Sequence, residues 1–242
     1  MPLRQRSFFL ALMLTLLFPL CSLCQAQTLD ELKLRAKAGD ADAMHTIGVR
    51  FWLGEPAELE CAPVECSTPF AGKDRNYAEA MHWFQLAADK GNDEAMNDIA
   101  NMYESGLGVT RNYDKSLYWR RLAAEKGNSA AMFGIGSMYV DGLGVKQDYT
   151  EAMRWYRKAA DAGNDIAFGF LGRGYEHGYG VKANLPIAAY WYIKYANSSS
   201  GARDSSAKAD LARLRKRGVV PAKSGDLPEG AAENHPSSPD KK

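Results

Sequence analysis

The chain repeats itself with a fixed step of 36 residues. Trp83, Trp119, Trp155 and Trp191 keep that step, as do Gly91, Gly127 and Gly163, and Gly106, Gly142 and Gly178. A period of this size marks a stacked array, in which each unit buries its apolar face only against its neighbours. Four units follow one another over 39–197, at 39–90, 91–126, 127–162 and 163–197. Each contains two amphipathic helical patterns. In the first helix, Ala95, Ile99 and Tyr103 recur at helical spacing, as do Ala131, Ile135 and Tyr139; in the second, Ala152, Trp155, Ala159 and Ala160 mark one face. Small residues such as Ala95, Ala100, Ala123 and Ala124 let helices approach closely, and Tyr and Trp fill the space between them. The expected fold is an all-α solenoid of antiparallel helix pairs.

The connections have their own logic. Gly106-Leu107-Gly108-Val109 and its two copies end a first helix with glycines that accept left-handed backbone angles. The second helix starts behind a capping residue, with Asn76 followed by Glu79 and Asp148 by Glu151, the spacing of a capping box. Pro186 falls in the first turn of the last second helix, where it is tolerated.

The pattern A-M-x-x-[IL]-[GA]-x-x-Y, then G-x-G-V, then D-Y-x-x-A-x-x-W-Y-x-K-A-A-x-x-G resembles the Sel-1-like repeat, a relative of the tetratricopeptide repeat. The resemblance covers roughly residues 28–197. It implies a right-handed superhelix whose first helices line a concave face, and a role in binding other proteins. Some exported members of that family carry a cysteine pair in every repeat, together with penicillin-binding or β-lactamase activity. This chain departs from them. Its first unit is 16 residues longer than the others, and the insert at 55–75 holds one pair, Cys61 and Cys66.

The N-terminus reads as a secretory signal over 1–26. Arg4 and Arg6 precede an apolar run from Phe8 to Leu20 that is short for a bilayer span, and Cys24-Gln25-Ala26 suits cleavage after Ala26. A lipoprotein would need a small residue before Cys21 or Cys24, where Leu20 and Leu23 stand; an uncleaved anchor is the other alternative. Cleavage would leave 28 basic and 29 acidic residues, a balance that argues against nucleic acid or an acidic membrane as partner. The expected location is periplasmic or secreted. There, an even cysteine pair favours a Cys61–Cys66 disulfide over a metal site, since no histidine sits nearby. Its short loop would contribute only about 2 kcal/mol.

The ends read as caps: a lone second helix at 27–38, a terminal helix at 204–217 with a basic outer face, and a disordered tail at 218–242, rich in proline and poor in apolar residues. No catalytic, cofactor or metal residues are expected. The G-x-G corners lack the third glycine of a dinucleotide loop and join helix to helix. Ser205-x-x-Lys208 spells a penicillin-binding motif without its S-D-N or K-T-G companions. His45 and His82 occupy variable columns that suggest surface positions, and the four histidines do not cluster. Asn197-Ser198-Ser199 is a glycosylation sequon only in a eukaryotic setting.

Function is then sought in the columns that do not repeat. On the tetratricopeptide arrangement these hold His45, Val49 and Trp52; Asn97, Asn101 and Glu104; Phe133, Ser137 and Val140; Gly169, Arg173 and Glu176. They read either as an ordinary solvated helix face or as a groove for a protein or peptide. Trp52 and Phe133 favour the groove, because aromatic residues anchor interfaces. The leading expectation is a non-catalytic binding scaffold; the alternatives are an enzyme acting on cell-wall precursors or β-lactams, and a non-catalytic regulator of cell-wall assembly.

Overall fold

A computed structural model describes residues 28–54, 75–203 and 205–227. The proposed signal, nearly all of the insert with Cys61 and Cys66, and residues 228–242 with His235 lie outside the described residues. Among the described residues there are ten α-helices and no strand: α1 (Leu29–Lys37), α2 (Ala41–Leu53), α3 (Tyr77–Asp89), α4 (Asp93–Ser105), α5 (Tyr113–Glu125), α6 (Ser129–Asp141), α7 (Tyr149–Asp161), α8 (Asp165–His177), α9 (Leu185–Asn197) and α10 (Ser205–Lys216). Each packs on the next in chain order, giving the expected all-α solenoid. The eight helices from α2 to α9 are all 13 residues long. Helices that short are marginal alone, so they persist here because their apolar faces are buried between neighbours.

The first helices of the units are α2, α4, α6 and α8; the second helices are α3, α5, α7 and α9. Between the two layers lies a core of successive clusters, one with Ile47, Phe84, Ile99 and Ile135 and the next with Leu171. Each first helix ends on a left-handed glycine: Gly54, Gly106, Gly142 and Gly178 have φ of 77°, 71°, 69° and 78°. The next glycine of each corner is constrained twice. Gly144 has φ 67°, and a Cβ there would lie 2.9 Å from the Tyr113 carbonyl carbon, on the start of the preceding second helix. Gly108 and Gly180 press on Tyr77 and Tyr149 in the same way.

A further bond closes every corner. The N-cap amide of the second helix donates to a carbonyl near the end of the first: Asn112 to Tyr103 at 2.8 Å, Asp148 to Tyr139 at 2.9 Å, Asn184 to Tyr175 at 2.7 Å. Asn76 makes the same bond to Phe51 at 2.9 Å. The 16-residue lengthening of the first unit is therefore spliced into the corner without altering its closure.

The units are also stitched at the N-termini of the first helices. Asn92 caps its own helix by accepting from the Ala95 amide at 2.7 Å, and its Nδ2 donates back to Asp42 of the preceding unit at 2.9 Å. Asn128 does likewise with Ala131 at 2.8 Å and Asp93 at 2.9 Å, and Asn164 with Ala167 at 3.2 Å and the Ser129 carbonyl at 3.3 Å. Ser199 continues the series by donating to Asp165 at 2.9 Å. One amide side chain thus satisfies an orphan helix donor and joins two repeats.

Both ends are partial units. Helix α1 is a second helix without a first, held by a full capping box between Thr28 and Glu31. Helix α10 stands against α9 where a fifth first helix belongs. Residues 218–227 differ from the disordered tail read from the sequence. The Ala222 amide donates to the Pro186 carbonyl at 3.0 Å, Val219 packs on the cluster that holds Leu214 and Tyr192, and Leu227 on the one that holds Trp191. This strap occupies the place of a fifth corner, so its few apolar residues suffice to hold it.

The dual role of Asn128 separates two substitutions. Asn128→Asp keeps the cap but loses the cross-unit donor and sets a carboxylate against Asp93. Asn128→Ala loses both bonds. Urea unfolding at neutral pH should show a loss of roughly 0.5–2 kcal/mol for alanine, the usual cost of a lost cap, and for aspartate a smaller loss that shrinks in high salt. An aspartate variant as stable as the parent in low salt would dismiss the cross-unit role.

Candidate groove on the first-helix face

The variable columns do stand together on the first helices, but the fold uses many of them. In the N-terminal half, His45 has only 15% of its side chain exposed, unlike the surface position suggested by its column. Its Nε2 lies 2.9 Å from Asp98 and its Nδ1 3.4 Å from Glu94, while its ring packs on Phe84. Trp52 meets Phe84 edge-on at 5.6 Å, and Val49 joins the core beside it. Asn101 accepts from Arg120 at 3.0 Å, and Glu104 pairs with the same guanidinium at 2.5 Å. Asn97 is half-buried and adjoins this network only in sequence.

Arg120 explains the arrangement. Phe84, Arg120, Tyr156 and Tyr192 share one column of the second helices, so Arg120 stands where the other units place an aromatic ring. Its side chain is only 7% exposed. Burial pulls the guanidinium pKa down and the Glu104 carboxylate opposes that pull. Arginine stays charged in such a setting, so the positive charge must be compensated in place. Glu104 and Asn101 are therefore structural ligands of a buried cation.

The C-terminal half is aromatic. Phe133 packs on Tyr156 at 5.3 Å and on Phe170 at 5.0 Å, and the Ser137 hydroxyl lies 3.3 Å from that of Tyr156. Val140 packs into the same cluster, and its carbonyl accepts from Gln147. Burial raises the Tyr156 pKa, only partly offset by the Ser137 hydrogen bond. Arg173 is exposed and lies 4.4 Å above the Phe170 ring. Beside it opens a cleft of about 140 Å³, walled by Phe170, Tyr192 and Tyr195 from α8 and α9 and by Ser206 and Asp210 from α10. Gly169 floors it; a Cβ there would sit 3.2 Å from the Tyr195 ring.

Glu176 is taken by the cap. Its carboxylate, 4% exposed, accepts from the Tyr192 hydroxyl at 2.9 Å and from both terminal nitrogens of Arg213 on α10. Arg213 holds the Glu176 pKa down, and that carboxylate in turn pushes the Tyr192 pKa up, adding to the larger effect of burial. The column comparison could have singled out Arg120 as the odd member of an aromatic set. Nothing in the repeat could have foretold Arg213, because α10 lies outside the period.

The motifs set aside above have structural places. Lys208 donates to the Ala202 carbonyl at 3.1 Å. The second glycine of each G-x-G corner packs against the Tyr77, Tyr113 or Tyr149 backbone, at the start of the preceding second helix. His82 is exposed beside Trp83, and His177 is exposed against Tyr179. Among the described residues, no group of three or more His, Cys, Asp or Glu is placed to hold a metal, and no helix is long and apolar enough to cross a membrane.

The Sel1 repeat family matches residues 70–92, 93–128, 129–164 and 170–200, more than half of the chain. This is a Sel1-repeat protein. A crystal structure of c5321, a protective antigen present in uropathogenic Escherichia coli strains and displaying an SLR fold, is 33% identical with a TM-score of 0.66, covering 80% of this chain and 37% of that one. A Sel1 repeat protein from Oxalobacter formigenes is 30% identical with a TM-score of 0.61, covering 75% of this chain and 67% of that one. A stretch of 77 residues is 34% identical to HRD3A of Arabidopsis thaliana, an ERAD-associated E3 ubiquitin-protein ligase component; it is 32% of this chain and 9% of that protein. The Sel1-repeat chain thus spans under a tenth of this curated relative. Sel1-repeat proteins are typically protein-interaction scaffolds.

Because Arg213 depresses the Glu176 pKa, this carboxylate favours the docked cap when ionised. The contribution is complete above the ordinary glutamate value, about pH 4.3, and is lost as pH falls through the lower folded value. Hydrogen-exchange protection factors over 205–216, corrected for the pH dependence of intrinsic exchange, should fall in that acidic window. In Glu176→Gln the protection should be lower at neutral pH and lose most of its acid dependence; an unchanged profile would remove Glu176 as the latch.

Proposed function

We propose that this chain is an exported, non-catalytic scaffold that holds a protein or peptide on the concave face formed by α2, α4, α6 and α8. The observation that carries this reading is the contrast between columns. Ala95, Ala131 and Ala167, or Ile99, Ile135 and Leu171, vary little and are buried. The neighbouring column changes from Asn97 to Phe133 to Gly169, and the next ends in the exposed Arg173. Packing explains the first set; of the second, the fold uses Asn101, Phe133 and Ser137, whereas Asn97 and the exposed Arg173 are left to specify a partner. The protein-interaction role typical of the family supports the same reading.

Photo-crosslinking in the native compartment tests it. A photoreactive residue at Asn97, Ile166 or Arg173 should yield a discrete adduct with one partner. The same residue at Tyr118, which is 58% exposed on a second helix, should not. Adducts from Tyr118 alone would move the binding surface away from the first helices.

Export rests on the basic start, the short apolar run and the Cys24-Gln25-Ala26 end of the leading segment. Intact mass of protein recovered from the native host should match a chain beginning at Gln27. It should also be lighter by two hydrogens than the reduced form, for a Cys61–Cys66 bond. A full-length chain whose four cysteines are all free thiols would overturn both readings.

A further inference from the structure

We infer that the cleft at the C-terminal end of the groove receives an internal acidic segment of a partner polypeptide, with an apolar side chain in the cleft and an Asp or Glu on Arg173. This rests on the concave-face reading above and names the ligand chemistry of that face.

Charge makes the first argument. Of the four ionisable side chains on the groove columns, three are paired within the fold: His45 with Asp98, Glu104 with Arg120, and Glu176 with Arg213. Asp210, on the wall of the cleft, is also held by Arg213 at 2.8 Å. Arg173 alone among the four has no ion pair among the described residues. Its guanidinium lies over the face of Phe170, which orients the planar group and leaves its donors open to a ligand. Such a fixed fork suits a carboxylate.

Shape makes the second. The cleft, about 140 Å³, is well below the roughly 300–1,000 Å³ of small-molecule sites. It suits one side chain. The rings of Phe170, Tyr192 and Tyr195, with Ile166 at 45% exposure on the rim, offer a side chain an apolar face to rest on, opposite the polar wall of Ser206 and Asp210. Gly169 keeps this space open where the other units carry His45, Asn97 and Phe133.

The remaining candidates fit less well. Residues 228–242 of this chain carry acids but no apolar side chain larger than proline, so they lack the group the cleft asks for. A free C-terminal carboxylate running to the end of the groove would meet Asp210 on α10. An internal segment presents its acid at the exposed Arg173 and only its apolar neighbour to the cleft.

A random peptide library displayed on phage between folded flanks, so that no free terminus is available, is selected on the full chain. Enriched sequences should share an Asp or Glu within two residues of Leu, Ile, Met or Phe. A synthetic capped peptide of the enriched sequence should lose about tenfold in affinity on Asp→Asn or Glu→Gln exchange, or against Arg173→Ala, the scale of one lost charge-assisted pair. Arg173→Lys should recover part of the loss. Gly169→Ala, which narrows the cleft, should weaken binding while the circular dichroism stays that of the parent. Enrichment without acids, no enrichment, equal binding by Arg173→Ala, or binding only of peptides with a free C-terminus would each overturn the inference. If crosslinking at Asn97 and Ile166 persists in the Arg173→Ala protein, the groove reading survives and only this anchor falls. If no groove position crosslinks, the groove reading itself falls.

Discussion

Everything in this molecule depends on how closely a first helix can approach the second helix of its own unit. Three glycines set that distance. A Cβ on Gly48 would lie 2.6 Å from the Phe84 ring, and on Gly136 and Gly172 it would lie 2.7 Å from Tyr156 and Tyr192. Ring and glycine are therefore two halves of one contact, and a methyl group would force the layers apart in a core packed to crystal density. The second unit keeps the rule by breaking it on both sides. Arg120 replaces the ring, and Ala100 replaces the glycine. The Arg120 side chain runs toward the next unit, where a Cβ on Gly134 would lie 2.7 Å from its guanidinium.

That exchange has consequences for the groove. A buried aromatic ring needs no partner from the first-helix face, whereas a buried cation does. The second unit consequently commits Asn101 and Glu104 to Arg120. The fourth unit commits Glu176 to the capping helix. These polar residues change from unit to unit, as recognition residues would, yet their variation is compensation within the fold. Variability alone does not mark a binding position.

The period made the helix pairs, glycine corners and helix caps legible, because each depends on local backbone geometry repeated in phase. The double bonding of Asn92, Asn128 and Asn164 was not legible. A cap is visible in one helix, whereas its second bond depends on how two units stack. Arg120 was visible as an odd column member, but its partners came from another helix. The strap at 218–227 has a composition that suggests disorder, and it is held because the open end of the array still offers the start of α9. Sequence reasoning placed the variable columns on the first helices. It did not separate those occupied by the fold from those left free, since that requires knowing where Arg120 and Arg213 point.

A solenoid exposes similar surface in every unit, so a distinct site needs something that breaks the repetition. Here the break is the end of the array. Helix α10 stands where a fifth first helix would stand, but it starts late, after the 3-10 turn Gly201–Arg203. It brings Ser206 and Asp210 to one wall of a cleft whose other walls are fourth-unit residues. The same helix removes Glu176 from the groove by way of Arg213, and so leaves Arg173 as the unneutralised charge beside that cleft. Capping and cleft formation are thus one event. The helix that protects the last apolar face also closes the groove and sets the sign of its end.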